Sequence, residues 1–169
     1  MDFKYSGIIL SKRDVSETDR IYTIFTLESG KIKALGKGVR RPNAKLAGHL
    51  EPVTYSEIFL SKGRGIGKLT GSVVVENFSK IKSDIESLIQ VSYAVKVLEK
   101  IIPEQQEEER IFKLFNEYLN AMEGLSEKNN PGKKAGITLG FFFKLLEESG
   151  YKLEIKRCVI CGGRLQAGN

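Results

Sequence analysis

Ser29–Leu50 reads SGKIKALGKGVRRPNAKLAGHL. It holds six basic residues, Lys31, Lys33, Lys37, Arg40, Arg41 and Lys45, and no acid lies between Glu28 and Glu51. Lys31 and Lys33 alternate with Ile32 and Ala34, the period-two pattern of a strand with one face buried. Gly36-Lys-Gly-Val-Arg-Arg-Pro-Asn43 follows as turn chemistry with charge at its tip. A strand running into a basic loop is a surface suited to a phosphate backbone. The segments on either side extend the strand pattern into a small β domain.

Upstream, Lys4–Lys12 is an apolar run with Gly7 in its middle, a first strand whose glycine permits a bulge or bend. The polar stretch Arg13–Asp19 reads as a loop, and Arg20–Thr26 is β-branched and aromatic. Leu27-Glu-Ser-Gly30 is a short hairpin connection, with Gly30 free to take a positive φ, and Lys31–Gly38 makes the third strand. Downstream of Pro42, Asn43–Leu50 suits one or two helical turns with Asn43 as N-cap. Pro52–Lys62 and Lys68–Phe78 are two further apolar strands. Three strands, a small helical insert and two strands is the order of the five-stranded oligonucleotide-binding (OB) barrel. An SH3-like barrel or a simple meander produces a similar pattern.

Charge points the same way. The chain has 169 residues and a formal charge of +6. Residues 1–80 carry fourteen lysines and arginines against eight acids, whereas residues 81–169 carry thirteen of each. The excess is confined to the strand-rich half, as expected for a polyanion partner. Hydrophobic content of 41% and charged content of 28% are those of a globular protein. No run approaches a membrane span and Met-Asp-Phe-Lys-Tyr is not a signal peptide, so a cytoplasmic location is expected.

The glycine-rich stretch Gly63-Arg-Gly-Ile-Gly-Lys68 fails as a nucleotide-binding motif. A P-loop needs glycine where Lys62 stands and Ser or Thr where Leu69 stands, and the dinucleotide fingerprint needs glycine at Lys68 or Thr70. It reads instead as a hairpin carrying Lys62, Arg64 and Lys68, which in an OB barrel flanks the ligand groove.

The second half reads as helices. Asp84–Ile102 has an apolar stripe and stops before Pro103. The acids of Glu104–Glu109 are expected at the N-terminus of a second helix, where they complement the macrodipole, followed by the apolar face Ile111–Met122. After a Gly124–Gly132 loop, Lys133–Ser149 forms a third helix capped by Gly150. Gly136 and Gly140 there invite close approach of another backbone. No one face can bury Phe141, Phe142 and Phe143 together, so one is expected to point away.

Cys158-Val-Ile-Cys161-Gly-Gly has the spacing of half a zinc knuckle. Glycines after the second cysteine argue against a redox motif, which would run into a helix. Structural zinc needs four ligands, and the lone histidine, His49, reads as structural or solvent-exposed. The alternatives left open are a half-site lacking its other ligands and two ordinary thiols. There is no nucleophile–histidine pairing, paired-carboxylate signature or phosphate cradle, so no catalytic residue is assigned and the chain is read as a non-enzyme.

Gly38-Val-Arg40-Arg41-Pro42, then Leu50-Glu51-Pro52, a helical segment and the Cys158–Cys161 knuckle together resemble the RecO family of bacterial recombination mediators. The resemblance covers essentially the whole chain, although family members run further at the C-terminus, where zinc-binding members supply a second cysteine pair. It implies an α+β chain with an OB-fold nucleic-acid-binding domain over residues 1–80 and a helical domain over 81–150. A truncated half-knuckle segment then occupies 151–169. It implies binding of single- and double-stranded DNA, strand annealing, action with RecR, and contact with the acidic, apolar C-terminal tail of single-strand-binding protein. Loading of RecA and a nucleoid-associated location follow from the same likeness. DNA contact is expected at Lys31, Lys33, Lys37, Arg40, Arg41 and Lys45, flanked by Arg13, Arg20, Lys62, Arg64 and Lys68. Tyr22 or Tyr55 are candidates for stacking on bases, and Phe141–Phe143 with Lys144 for the tail. A protein-interaction adaptor whose basic face docks an acidic protein, or an OB-fold binder of RNA, would share the cationic surface.

Overall fold

The computed structural model describes residues 2–41, 47–61, 66–125, 131–151, 153–154 and 156–164. Five strands, β1 (Asp2–Asp14), β2 (Arg20–Thr26), β3 (Gly30–Gly36), β4 (Tyr55–Ser61) and β5 (Gly67–Glu76), close into a barrel in the order β1-β2-β3-β5-β4. This is the OB order, with the 3-10 turn Ala47–Leu50 between β3 and β4. Four helices follow: α1 (Ser79–Ser83), α2 (Ile85–Ile101), α3 (Glu109–Leu125) and α4 (Pro131–Glu148).

β1 is long because it pairs twice, with β4 through its first half and with β2 through its second. Gly7 sits where the two ladders overlap, opposite both Thr26 and Ser56. A Cβ there would stand 2.7 Å from an Ile24 methyl, so the glycine serves close packing, and the bulge falls at Ile9/Ser11 instead. Gly30 opens β3 with φ +61° after a three-residue connection, as the sequence indicated.

Alternation sends Tyr5, Ile9, Tyr22, Ile24, Ile32, Ala34, Ile58, Leu60 and Leu69 into the barrel, joined by Val39 and Leu50 from the loop after β3. The opposite face of β1 and β2 is also apolar: Ile8, Leu10 and Phe25 share a second core with Phe78, Ile81 and the inner faces of α2, α3 and α4. Burying both faces of a strand pair fixes the helices on the barrel wall.

α2 starts at its N-cap Asp84, whose carboxylate accepts the Ser87 N–H at 3.0 Å. α4 ends with Gly150 at φ +87° and a Tyr151 N–H to Leu146 carbonyl bond of 2.9 Å, the expected glycine cap. Two expectations change. Only the end of the acidic run caps a helix: α3 begins at Glu109, with the Glu108 carbonyl accepting the Phe112 N–H at 2.9 Å, whereas Glu104 lies in the connection from α2, where Gln105 turns at φ +58°. Among the described residues nothing outside the helix's own backbone lies within 4 Å of a Cβ built at Gly136 or Gly140, so no other described backbone approaches there. Phe141 is buried, stacked on Tyr118 at 4.5 Å, Phe142 is half-buried against Tyr93, and Phe143 points away, 46% exposed.

Candidate nucleic-acid interface

Strand register sorts the outer face of the barrel into rows, because directly paired residues share a face. Ile8, Phe25 and Lys31 form the first row; Ser11, Thr23 and Lys33 the second; Arg13, Ile21 and Leu35 the third. Parallel pairing of Leu35 with Lys68 carries the third row onto β5.

The chain itself packs over the first row and crosses the second, leaving Lys33 exposed but paired. Phe25 packs edge-on against Phe112 of α3, centroids 5.3 Å apart. Lys31 Nζ donates to the Glu99 carbonyl at the end of α2, and the Ser11 hydroxyl donates to the Glu99 carboxylate. The connection from α2 to α3 then crosses β3: the Gln105 N–H donates to the Lys31 carbonyl at 2.9 Å, and Glu104 accepts from Lys33 Nζ at 2.5 Å. The Lys33 ammonium holds the Glu104 carboxyl below the usual carboxylate range. An exposed pair of this kind adds little to stability. The backbone bridge nevertheless keeps the acid in place, so the charge of Lys33 stays offset. A cleft of about 330 Å³ remains at the β3–β5 seam, bounded by Lys31, Lys33, Leu60, Ile66 and Glu104.

The third row is open. Arg13 and Lys68 are exposed cations at its ends, and Ile21 and Leu35 between them are partly exposed. Past β3, the Gly36–Arg41 turn is fastened to the barrel by Val39, which is 2% exposed, and it lifts Lys37, Arg40 and Arg41 into solvent. Asp14 accepts from Arg20 Nε at 2.6 Å and pairs with Arg40 Nε at 3.4 Å; Arg20, then Arg40, hold its carboxyl below the usual range. Arg40 Nη1 also donates to the Ser16 carbonyl at 2.9 Å. Arg13, Lys37, Arg41 and Lys68 make no ion pair with a carboxylate among the described residues.

The eleven candidate cations therefore divide. Lys31 and Lys33 face the protein's own carbonyl and carboxylate, and Arg20 and Arg40 are tied to Asp14. Arg13, Lys37, Arg41 and Lys68 are exposed and unpaired among the described residues, and they lie at one end of the barrel. Lys45, Lys62 and Arg64 lie outside the described residues, as does Asn43 as a cap. The tyrosine candidates fail: Tyr22 is fully buried inside the barrel, and Tyr55 packs on Phe112 at 6.0 Å. In their place stand Ile21 and Leu35, not singled out from sequence. Their signal was present in the alternation with Tyr22 and Ala34, but only register shows that they sit side by side between two cations.

Elsewhere, a groove of about 320 Å³ runs between α3 and α4, lined by Leu114, Tyr118, Ala121, Ile137, Phe141 and Lys144. Cys158 and Cys161 are free thiols on one tight turn, closed by bonds from Cys158 N–H to the Gly163 carbonyl (2.8 Å) and from Gly162 N–H to the Cys158 carbonyl (2.9 Å). Backbone N–H groups of Cys161 and Ile160 face the Cys158 sulfur and pull its pKa below the ordinary thiol value. Such a turn fits two ligands of a tetrahedral zinc site. Among the described residues, no group of three or more His, Cys, Asp or Glu side chains is placed to hold a metal ion. His49 is exposed, with Nδ1 3.1 Å from the Ser72 carbonyl oxygen. No described helix is long and apolar enough to cross a membrane.

Comparison with known proteins agrees with this architecture. Residues 1–78 match the family described as recombination protein O N terminal, and residues 82–169 the one described as recombination protein O C terminal. The chain is 34% identical over 98% of its length to a DNA repair protein RecO of Dehalococcoides mccartyi, of which it spans 63%. It is 34% identical over 94% of its length to that of Acetivibrio thermocellus, spanning 61%, and 30% identical over 97% to that of Nostoc punctiforme, spanning 54%. Both halves of the chain, the closed five-stranded barrel and the helices packed on its wall, thus find their counterparts in one group of proteins, and the chain belongs to the RecO family.

Proposed function

We propose that this chain is the nucleic-acid-binding part of a DNA recombination mediator, acting on single-stranded DNA through the end of its barrel. The row Arg13–Ile21–Leu35–Lys68, continued by Lys37 and Arg41, carries this reading: cations flank a strip of partly exposed aliphatic surface. Phosphates would lie on the cations, and unpaired bases would rest on Ile21 and Leu35. A duplex hides its bases and gains only the ionic part. Mediation of this kind makes and breaks no covalent bond. Neutralising phosphates on two strands releases counterions and lowers the repulsion that opposes pairing, which favours annealing.

Action with RecR and loading of RecA onto DNA coated by single-strand-binding protein belong to the same proposal. The α3–α4 groove, apolar with Lys144 at its rim, suits an acidic, apolar tail of the coating protein. Phe141 lines it, whereas Phe143 does not. Cys158 and Cys161 would supply two of the four ligands of a structural zinc, which adds local order and no chemistry to DNA binding.

Fluorescence anisotropy of a labelled single-stranded oligonucleotide at two salt concentrations tests the central statement. Saturable binding that weakens steeply with salt is expected. Absence of oligonucleotide binding alongside saturable capture of an acidic protein would establish the adaptor function instead. Stronger competition by structured RNA than by DNA would reassign the ligand.

A further inference from the structure

The loop Val15–Asp19 contains acids in front of the cationic turn, where a phosphate-binding surface would be expected to avoid them. Its hydrogen bonds show what one of them does. Asp19 Oδ1 accepts from the Gly38 N–H at 2.8 Å and from the Thr18 hydroxyl at 2.9 Å. The Asp19 N–H donates to the Ser16 hydroxyl at 3.1 Å, and the Asp19 carbonyl accepts from Val15 N–H at 3.1 Å, so the loop closes on itself. Across the gap, Arg40 N–H donates to the Thr18 carbonyl at 3.1 Å, and within the turn the Arg41 N–H donates to the Gly38 carbonyl at 3.2 Å. The β1–β2 loop and the turn after β3 are 19 residues apart between Asp19 and Gly38, yet they form one hydrogen-bonded unit.

We infer that Asp19 is a positioning residue for the nucleic-acid surface: its carboxylate pins the Gly38 amide, and this fixes Lys37 and Arg41 beside the Arg13–Lys68 row. The inference rests on the DNA-binding function proposed above. Lys37 and Arg41 lie close enough to bias the Asp19 carboxyl, which Gly38 N–H, Thr18 and then these two cations hold below its usual range. They remain outside ion-pair distance of it, since neither pairs with a described carboxylate. Asp19 thus spends its lone pairs on backbone and hydroxyl donors and leaves both cations open to phosphate. On the other side of the turn Val39 is buried in the barrel, so an apolar plug adds to the polar bonds that Asp19, Thr18 and Ser16 make to the turn.

Charge and position make opposite predictions for two substitutions. Asp19→Asn keeps an acceptor oxygen for Gly38 and removes a negative charge near the phosphates; single-stranded oligonucleotide binding is expected to tighten about twofold. Asp19→Ala removes the same charge together with the pin, and binding is expected to weaken on the order of fivefold, with a shallower salt dependence. If both variants tighten binding by the same factor, Asp19 acts through charge alone and the inference fails. Hydrogen exchange of the Gly38 amide gives a readout without DNA: fast in Asp19→Ala, protected in the Asn variant and the wild type. Equal protection in all three would also overturn it. Val39→Ala loosens the same turn with no change of charge and decides the matter if Asp19→Ala does not fold; unchanged affinity and slope in that variant count against the inference. Failure of the unaltered protein to bind any oligonucleotide would instead sink the DNA-binding proposal, and leave the Gly38 exchange result standing.

Discussion

Lys37 and Arg41 replaced together by glutamine, compared with Lys31 and Lys33 replaced in the same way, test the division of the cationic stretch. Each double variant removes two charges from one eleven-residue segment, so composition-based reasoning assigns them equal effects. The structure does not. Lys37 and Arg41 stand in solvent without a described carboxylate partner, whereas Lys31 and Lys33 are turned onto the Glu99 carbonyl and the Glu104 carboxylate. For single strands the slope of log K against log salt is about −0.7 per phosphate contact, so losing two contacts flattens it by about 1.4. Over a fourfold rise in salt, that difference amounts to about sevenfold in affinity. The Lys31/Lys33 variant should keep nearly the parental slope. Oligonucleotide anisotropy over a salt series measures both. Flattening by the Lys31/Lys33 pair as large as that by Lys37/Arg41 would refute the claim that helices and the acidic connection have taken the lower rows out of the binding surface.

Four further expectations follow from named contacts. Glu104→Gln should release Lys33 toward phosphate and steepen the salt slope by about 0.7; no change in a wild type versus Lys33→Gln cross would place Lys33 outside the interface in either state. Phe112→Ala removes the ring that meets both Phe25 and Tyr55, and should cost about 3–5 kcal/mol in urea unfolding; a loss below about 1 kcal/mol would mean the helices do not depend on that contact. Gly30→Ala needs φ +61° and would set a Cβ 1.7 Å from the Gln106 carbonyl oxygen, so a loss of about 1–3 kcal/mol or more is expected by thermal melting. Asp84 is held at about 2 against an ordinary 3.8, first by buried Lys134 and then by Ser87. A depressed carboxylate binds protons more weakly folded than unfolded, so its stabilisation is complete above pH about 4 and fades as pH falls toward 2. Asp84→Asn should flatten the acid limb of stability there, and an unaltered limb would show that the pair contributes nothing.

The strands were legible because β3 alternates, β1 and β2 are apolar or β-branched runs, and turn residues punctuate them. β2 and the helix after Asp84 came out almost to the residue. The short helix α1 was missed, since five residues, SKIKS, carry no periodicity to detect. Local electrostatics favours acids at a helix start, which holds for Glu108 and Glu109 but not for Glu104. The partner of Glu104, Lys33, is 71 residues away, and no local rule can show it.

The two-residue pleat sorted each strand's side chains into two faces, and in β3 apolar and polar residues marked which face is buried. The confinement of excess positive charge to residues 1–80 was likewise fixed by the sequence alone. Which outer-face residues meet, and which are covered, depended on strand register and on where α2 and α3 come to rest. Those are pairings between distant segments, fixed by packing Phe25 on Phe112 and Gln105 on β3. Folding thus left Arg13, Ile21, Leu35, Lys68 and the Lys37–Arg41 turn at the surface, and turned Lys31 and Lys33 toward the protein itself.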